Sequence, residues 1–323
     1  MKRNLWSWPR ATGITFVLTY KLAFAQISLS KHAQSFSDSE KAALSAESPI
    51  QNALPGKLPA LSEDNIARYQ QAHPNTPDAA VAVFLLNHDS NALLKSAALH
   101  PGHATLQLTR FRLSKPPEEK ESALAAFSKA DPKNALGPYL KALQHTQAGK
   151  PHDAISELVS AESLRGFSVY SEQITHRVED AYRHSGFSEA ISKVAARSIV
   201  PHAGEIAWEV FNMMASIAGT FEKDGDEQGA IVMHGMQIDL ARRLQNSSLL
   251  EETIEGFRMQ KRILEESAPG IQPPIGLNDA DYEAILTGFQ KWMKSAGEDE
   301  ILRFFELAQK IGEYKAARQI LKN

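Results

Sequence analysis

From Ser62 onward, apolar residues recur three and four positions apart along nearly every segment of the chain, and Pro, Gly or a short polar stretch cuts each run. That period places the apolar positions on one stripe of an α-helix. Ser62 can cap the first helix, Glu63 and Asp64 occupy its first turn, Ile66 and Tyr69 supply its buried stripe, and His73-Pro74 stops it. Further helices are expected at about 78–87, 90–99, 103–113, 118–130, 134–148, 151–163, 169–185, 187–198, 203–221, 225–245, 247–266, 279–295, 298–311 and 313–322. No run alternates apolar and polar residues with β-branched enrichment, so no strand is expected. The pattern specifies an all-α chain.

The breaks between these short helices recur. Pro101, Pro132 and Pro201 lie 31 and 69 residues apart, and 69 is about twice the 34-residue period of a helix-turn-helix repeat. A repeat begun at Ala135 has Ala142 as its eighth residue, Gly149 as its fifteenth, and Ala154, Leu158 and Ala161 as its twentieth, twenty-fourth and twenty-seventh. Small residues let paired helices approach, Gly ends the first helix, and Pro after the second cannot continue it. The unit at about 135–168, preceded by Asp131-Pro132-Lys133-Asn134, resembles a tetratricopeptide repeat. Weaker copies surround it: Ala123, Phe127 and Ala130 before Pro132; Ala181, Gly186 and Ala190; and Ala308, Gly312, Ala317 and Leu321. The usual Trp and Leu of the first helix are absent, since Pro138 and Lys141 stand there. The resemblance implies an α-solenoid of stacked hairpins whose first helices line a concave groove for a protein or peptide. Tyr139, Thr146 and Gln147 occupy the positions that the family turns toward that groove.

The stretch 203–268 fits the repeat less well. Its helices are longer, with Trp208, Phe211, Met214, Ile217 and Phe221 along one face and Met233, Met236, Leu240 and Leu244 along another, a spacing that reads as core. Lys223-Asp224-Gly225-Asp226-Glu227 between them lacks the third acid and distal Glu of a calcium loop and reads as a turn. Ala268 to Pro274, with three prolines and a glycine, marks a boundary before a small C-terminal helical unit at 275–323. The repeat region proper is taken as 62–202, and the Ser-, Ala- and Pro-rich stretch 26–61 as a linker.

The first 25 residues differ in kind. Lys2, Arg3 and Arg10 precede an apolar run, and Ala23-Phe24-Ala25 offers the small residues that a signal peptidase accepts, so cleavage is expected after Ala25. The alternative is an uncleaved anchor, against which Lys21 argues, because a charge inside a spanning helix costs roughly 2.5–3.5 kcal/mol. The expected location is the periplasm or the exterior, with membrane attachment by the N-terminal segment as the alternative.

Charge then changes the picture slightly. The chain carries 35 basic and 38 acidic residues, and loss of the four bases before Ala25 leaves 31 against 38, a net charge of −7. Such a balance gives no electrostatic reason to bind nucleic acid. With no cysteine, thiol nucleophiles, disulfides, Cys-bound zinc and a lipoprotein anchor are all excluded. No later segment is apolar enough to span a membrane.

Candidate chemistry is thin. His100-Pro101-Gly102-His103 is a turn, not the helical spacing that aims two imidazoles at one metal, and no metal or cofactor is expected. His176 and His184, eight residues apart on one helix, read as surface or groove residues. Neither a nucleophile elbow nor a phosphate-binding glycine loop occurs. Glu251, Glu252 and Glu255, and likewise Glu298, Asp299 and Glu300, sit at helix starts where acids complement the helix dipole. Arg242, Arg243, Arg258, Lys261 and Arg262 lie among acids and read as solvated faces. The leading expectation is an exported, non-enzymatic helical-repeat scaffold for protein or peptide partners in a bacterial cell envelope. A helical enzyme acting on peptidoglycan through unrecognised carboxylates, and a subunit of a secretion or assembly complex, stand as alternatives.

Overall fold

A computed structural model describes residues 60–266 and 282–322. The expected signal segment, nearly all of the linker, and the Ala268–Pro274 break lie outside the described residues. Within them the protein is helical throughout, with a single isolated bridge between Asn134 and Gly166 in place of any strand. The helices fall close to where the apolar period puts them. Ser62 accepts the Asn65 N–H at 3.3 Å and so caps α1 (Glu63–Ala72). Next come α2 (Pro77–Asn87) and α3 (Ser90–Leu99), the latter capped by Asp89.

Helices then pair through tight turns. The pairs are α4 (Ala104–Leu113) with α5 (Pro117–Ala130), α6 (Leu136–Gln147) with α7 (Pro151–Glu162), α8 (Ser171–His184) with α9 (Glu189–Ile199), and α10 (Gly204–Lys223) with α11 (Glu227–Gln245). Three of these pairs turn by the same device. Gly149, Gly186 and Gly225 take positive φ of 68°, 88° and 75°. After Gly149, Lys150 N–H bonds His145 O and Gly149 N–H bonds Thr146 O, the reciprocal pair that satisfies the last carbonyls of a helix. Asp224, Gly225 and Asp226 therefore make the turn between α10 and α11.

In the 135–168 unit, Ala135, Ala142, Ala154, Leu158 and Ala161 are all fully buried. The unit is also stitched shut at its ends. Asn134 Nδ2 donates to Ser168 O at 2.8 Å across 34 positions, Ser168 N–H and Leu136 N–H both reach Asn134 Oδ1, and Ala135 N–H bonds Gly166 O. The Tyr170 hydroxyl, donating to Asp131 at 2.6 Å, braces the same junction.

Contacts run beyond sequence neighbours. α8 packs on α2 and α1, and α6 packs on α10. α12 (Leu250–Glu266) lies along α11, followed by α13 (Tyr282–Ser295) and the pair α14 (Glu298–Ile311) and α15 (Glu313–Ile320). At the α11–α12 contact, a Cβ on Gly256 would meet Ala241 O at 2.6 Å and Gln245 N at 2.7 Å, so these helices touch backbone to backbone. The methionine and aromatic stripes of α10 and α11 are core: Phe211, Met214, Met233, Leu240 and Leu244 are buried, while Trp208 is half-buried.

One helix belongs to two cores. Ala195 and Ala196 of α9, with Val200 just past its end, join Val81, Leu93, Leu106 and Val178, whereas its Ala190 and Val194 join Leu250, Phe289, Phe304 and Ala317. Lys193 and Arg197, four residues apart on α9, take neither apolar cluster and face a charged cleft.

The turn geometry yields a stability test. Gly149→Ala adds a Cβ that meets nothing within 4 Å but strains a left-handed residue, so it should cost about 1–2 kcal/mol in urea unfolding. Gly102→Ala, equally open and without positive φ, should be close to neutral. Gly256→Ala, which forces two backbones apart, should cost about 1–3 kcal/mol.

Candidate functional site

The cleft is built from four helices and one loop. α8 contributes Glu172, His176 and Glu179, a stripe at four- and seven-residue spacing; α9 contributes Lys193 and Arg197. Phe305, Ala308 and Gln309 come from α14, Glu313 from the first turn of α15, and Ser248 from the loop before α12. Its volume is about 40 Å³. Phe305, Ala308, Glu179 and Glu313 are buried in its floor, while Glu172, His176, Ser248 and Gln309 form an exposed rim.

Charge in the floor is organised by Glu313, only 2 % exposed. Arg197 Nε donates to its Oε1 at 2.6 Å, and the Leu250 N–H, at the start of α12, donates to its Oε2 at 2.9 Å. Its own N–H bonds Ser248 O. Lys193 pairs with Glu179 at 3.0 Å and with Glu189 at 3.5 Å. Both cations also lie over the Phe305 ring, at 5.9 and 5.7 Å from its centroid. Burial lowers the Arg197 pKa, but the Glu313 carboxylate reverses this and the net displacement is upward. Behind the floor, burial and then the Glu313 charge push the Glu251 carboxyl above the ordinary carboxylate range, opposed by His202 and Arg197. Glu251 is thereby held toward its neutral form.

A second carboxylate is a junction. Glu252 Oε1 accepts the Ala203 N–H at 2.9 Å and lies 3.2 Å from Ser171 Oγ, and its Oε2 accepts from Ser247 Oγ at 2.6 Å. Position at a helix start was legible for Glu251 and Glu252; burial was not. Both do lie in the first turn of α12, and residues distant in sequence close over them. Glu255 bonds Trp208 Nε1 at 2.6 Å and Arg258 at 2.7 Å, and Arg258 reaches on to Glu283. Arg262 lies over the rings of Trp208 and Phe211 and donates to Asn212. The expectation of solvated faces therefore holds for Lys261, which is exposed and pairs with Glu265, and fails for Arg258 and Arg262. Glu300 does act at its helix start, accepting the Gly297 N–H at 2.8 Å.

The residues assigned to a groove separate. Tyr139 is fully buried, its ring edge-on to Phe167 and its hydroxyl donating to Glu162 at 3.3 Å, which corrects its placement on an open surface. A first helix that presses its central Tyr against the α7 side has no room to offer that ring outward. Thr146 is half-buried and turns its hydroxyl to Ala142 O at 2.9 Å and Met213 Sδ at 3.1 Å, at the contact with α10. Gln147 is exposed. Around Tyr139, burial pushes the Glu162 carboxyl upward, Arg243 opposes it, and Asp239 lies close enough to share a hydrogen bond with it. Arg243 reaches the carbonyls of Gly166 and Ala161.

His176 stands on the cleft rim, whereas the His184 ring lies edge-on to Tyr69 and His73, at centroid distances of 6.0 and 6.4 Å. His103 lies 3.6 Å from Asp78. Among the described residues no group of three His, Asp or Glu side chains converges as metal ligands would, and no helix is long and apolar enough to cross a membrane. The cleft residues were individually visible in the sequence but not as a set, since Glu172 and Glu313 are far apart along the chain. Comparison with known protein families, with curated proteins and with solved structures yields no match.

Two measurements follow from this geometry. Glu313→Gln leaves the largely buried Arg197 without its counter-charge and should cost about 3–5 kcal/mol, read from the urea midpoint. Glu251 supplies a pH dependence. A carboxyl raised in the native state keeps a proton that the unfolded chain has lost, so its contribution is full below the ordinary carboxylate pKa of about 4.3 and declines as pH rises toward the raised value. Between pH 4.5 and 8 the wild type should lose stability relative to Glu251→Gln. A difference independent of pH would show Glu251 ionised throughout.

Proposed function

We propose that the chain is a helical-repeat scaffold of the tetratricopeptide kind, exported to a bacterial cell envelope, where its stacked hairpins hold protein or peptide partners. The observation that carries this reading is the unit at 135–168. Its small residues are buried exactly at the hairpin seam, Gly149 supplies the left-handed turn, and Asn134 and Ser168 join across 34 positions. Hairpins of this type offer a partner the concave surface lined by their first helices, and the exposure of Gln147, near the end of such a helix, supports that reading. The charges of the α8–α9 cleft are mostly paired with one another, as befits a surface that recognises rather than reacts.

A second reading has one observation in its favour. Glu162, raised by burial and lying beside Asp239 and the Tyr139 hydroxyl, has the character of a general acid next to a carboxylate, which a helical peptidoglycan hydrolase requires.

Affinity capture from an envelope fraction with the purified chain should retain a saturable, stoichiometric partner. A zymogram decides between the readings: clearing of cell-wall substrate that disappears in Glu162→Gln would overturn the scaffold, and its absence alongside capture supports it.

A further inference from the structure

The cleft between α8, α9, α14 and α15 keeps open hydrogen-bonding capacity of both signs. Arg197 uses Nε on Glu313, and among the described residues neither Nη1 nor Nη2 meets an acceptor. The Arg197 side chain lines the cleft and keeps 17 % of its surface exposed. Its terminal nitrogens present the planar fork that grips a carboxylate with two parallel bonds. Across the cleft on α8, Glu172 is exposed and has no basic partner among the described residues, and Glu179 bonds Lys193 through one oxygen only. Phe305 closes the floor beneath both cations.

This mixture selects against ligands of a single charge. A lone anion that reaches the Arg197 fork also approaches Glu313, Glu179 and Glu172. A lone cation that reaches Glu172 approaches Lys193 and Arg197. A molecule that carries both charges close together satisfies both sides and brings no net charge into a partly buried site. Size points the same way: a cleft of about 40 Å³ holds on the order of three water-sized groups, enough for the head of one residue.

We propose that the cleft binds the zwitterionic head of a free α-amino acid, with the carboxylate on the Nη edge of Arg197 and the ammonium on Glu172. The amino-acid side chain leaves past the exposed Gln309 and Ser248, so recognition is of the head group and tolerates many side chains. The site does not depend on the scaffold reading, and either can stand without the other.

Calorimetric titration of the full chain with glycine, acetate, methylammonium and triglycine tests the proposal. Glycine should bind at least about tenfold more tightly than acetate or methylammonium, each of which keeps one of the two charge-assisted contacts. Triglycine, whose two charges lie two peptide bonds apart, should also bind about tenfold more weakly. Glu172→Gln, an exposed change that leaves the Arg197–Glu313 pair intact, should reduce glycine affinity about tenfold and leave acetate unchanged or tighter. Arg197→Lys, with its thermal midpoint measured first, should abolish the preference for glycine over methylammonium. No glycine binding up to 100 mM, glycine no tighter than acetate or triglycine, or an unaffected Glu172→Gln would each overturn it.

Discussion

One buried ion pair ties α9 to α15 and to the start of α12. Arg197 and Glu313 meet at 2.6 Å with little of either side chain exposed, and the second oxygen of Glu313 takes the N–H that begins α12. Desolvating two charges costs several kcal/mol per ion, and their mutual attraction recovers that only with close geometry and further hydrogen bonds. Both conditions are met. The consequence is placement more than net stability. A carboxylate in the first turn of α15, aimed at α9 and at the start of α12, admits one arrangement of three helices. Sliding any of them by a turn would strand a charge in the interior.

Apolar burial alone would not fix that arrangement, because it is non-directional and α9 offers small residues to two cores at once. Ala190 and Val194 toward one cluster, and Ala195 and Ala196 toward another, make α9 a smooth rod between two greasy surfaces. Polar contacts supply its register. Ser188 accepts the Ile191 N–H at its start, Lys193 reaches Glu179 of α8, and Arg197 reaches Glu313. Glu252 performs the same service one helix away, gathering Ser171, Ala203 and Ser247 at a point where three segments converge. In both places an acid near a helix start is also the joint between elements distant in sequence.

That double use explains what was legible in the sequence. Helix boundaries were, because apolar period, the Ser62 cap and Gly149, Gly186 and Gly225 turns are all local signals that survive in the fold. The stripes of α10 and α11 were legible as core for the same reason. The site was not. Arg258 and Arg262 looked solvated because each lies among charges along the chain, yet they reach Glu283 and Asn212 on other helices, and the burial of the helix-start acids Glu251 and Glu252 has no local signal. Tyr139 failed in the opposite way. Its position within the hairpin was right, but the residue that decides whether a first-helix Tyr faces outward is its neighbour across the seam, here Glu162 with Phe167 beside it.

The joint and the open cleft share a residue, and that sharing has a thermodynamic consequence. Arg197 gives its Nε to Glu313 and keeps its Nη edge, so a ligand anion on that edge adds to a guanidinium already immobilised by the fold and pays no further ordering entropy at that side chain. The same anion exists at this site only while α9, α14 and α15 hold their native arrangement. Whatever binds there therefore stabilises the native state by mass action, to a degree set by its concentration relative to its dissociation constant. Since the clasp orders the C-terminal hairpin against α9, occupancy of the cleft is felt first as reduced opening of that hairpin, a coupling built from two faces of one guanidinium.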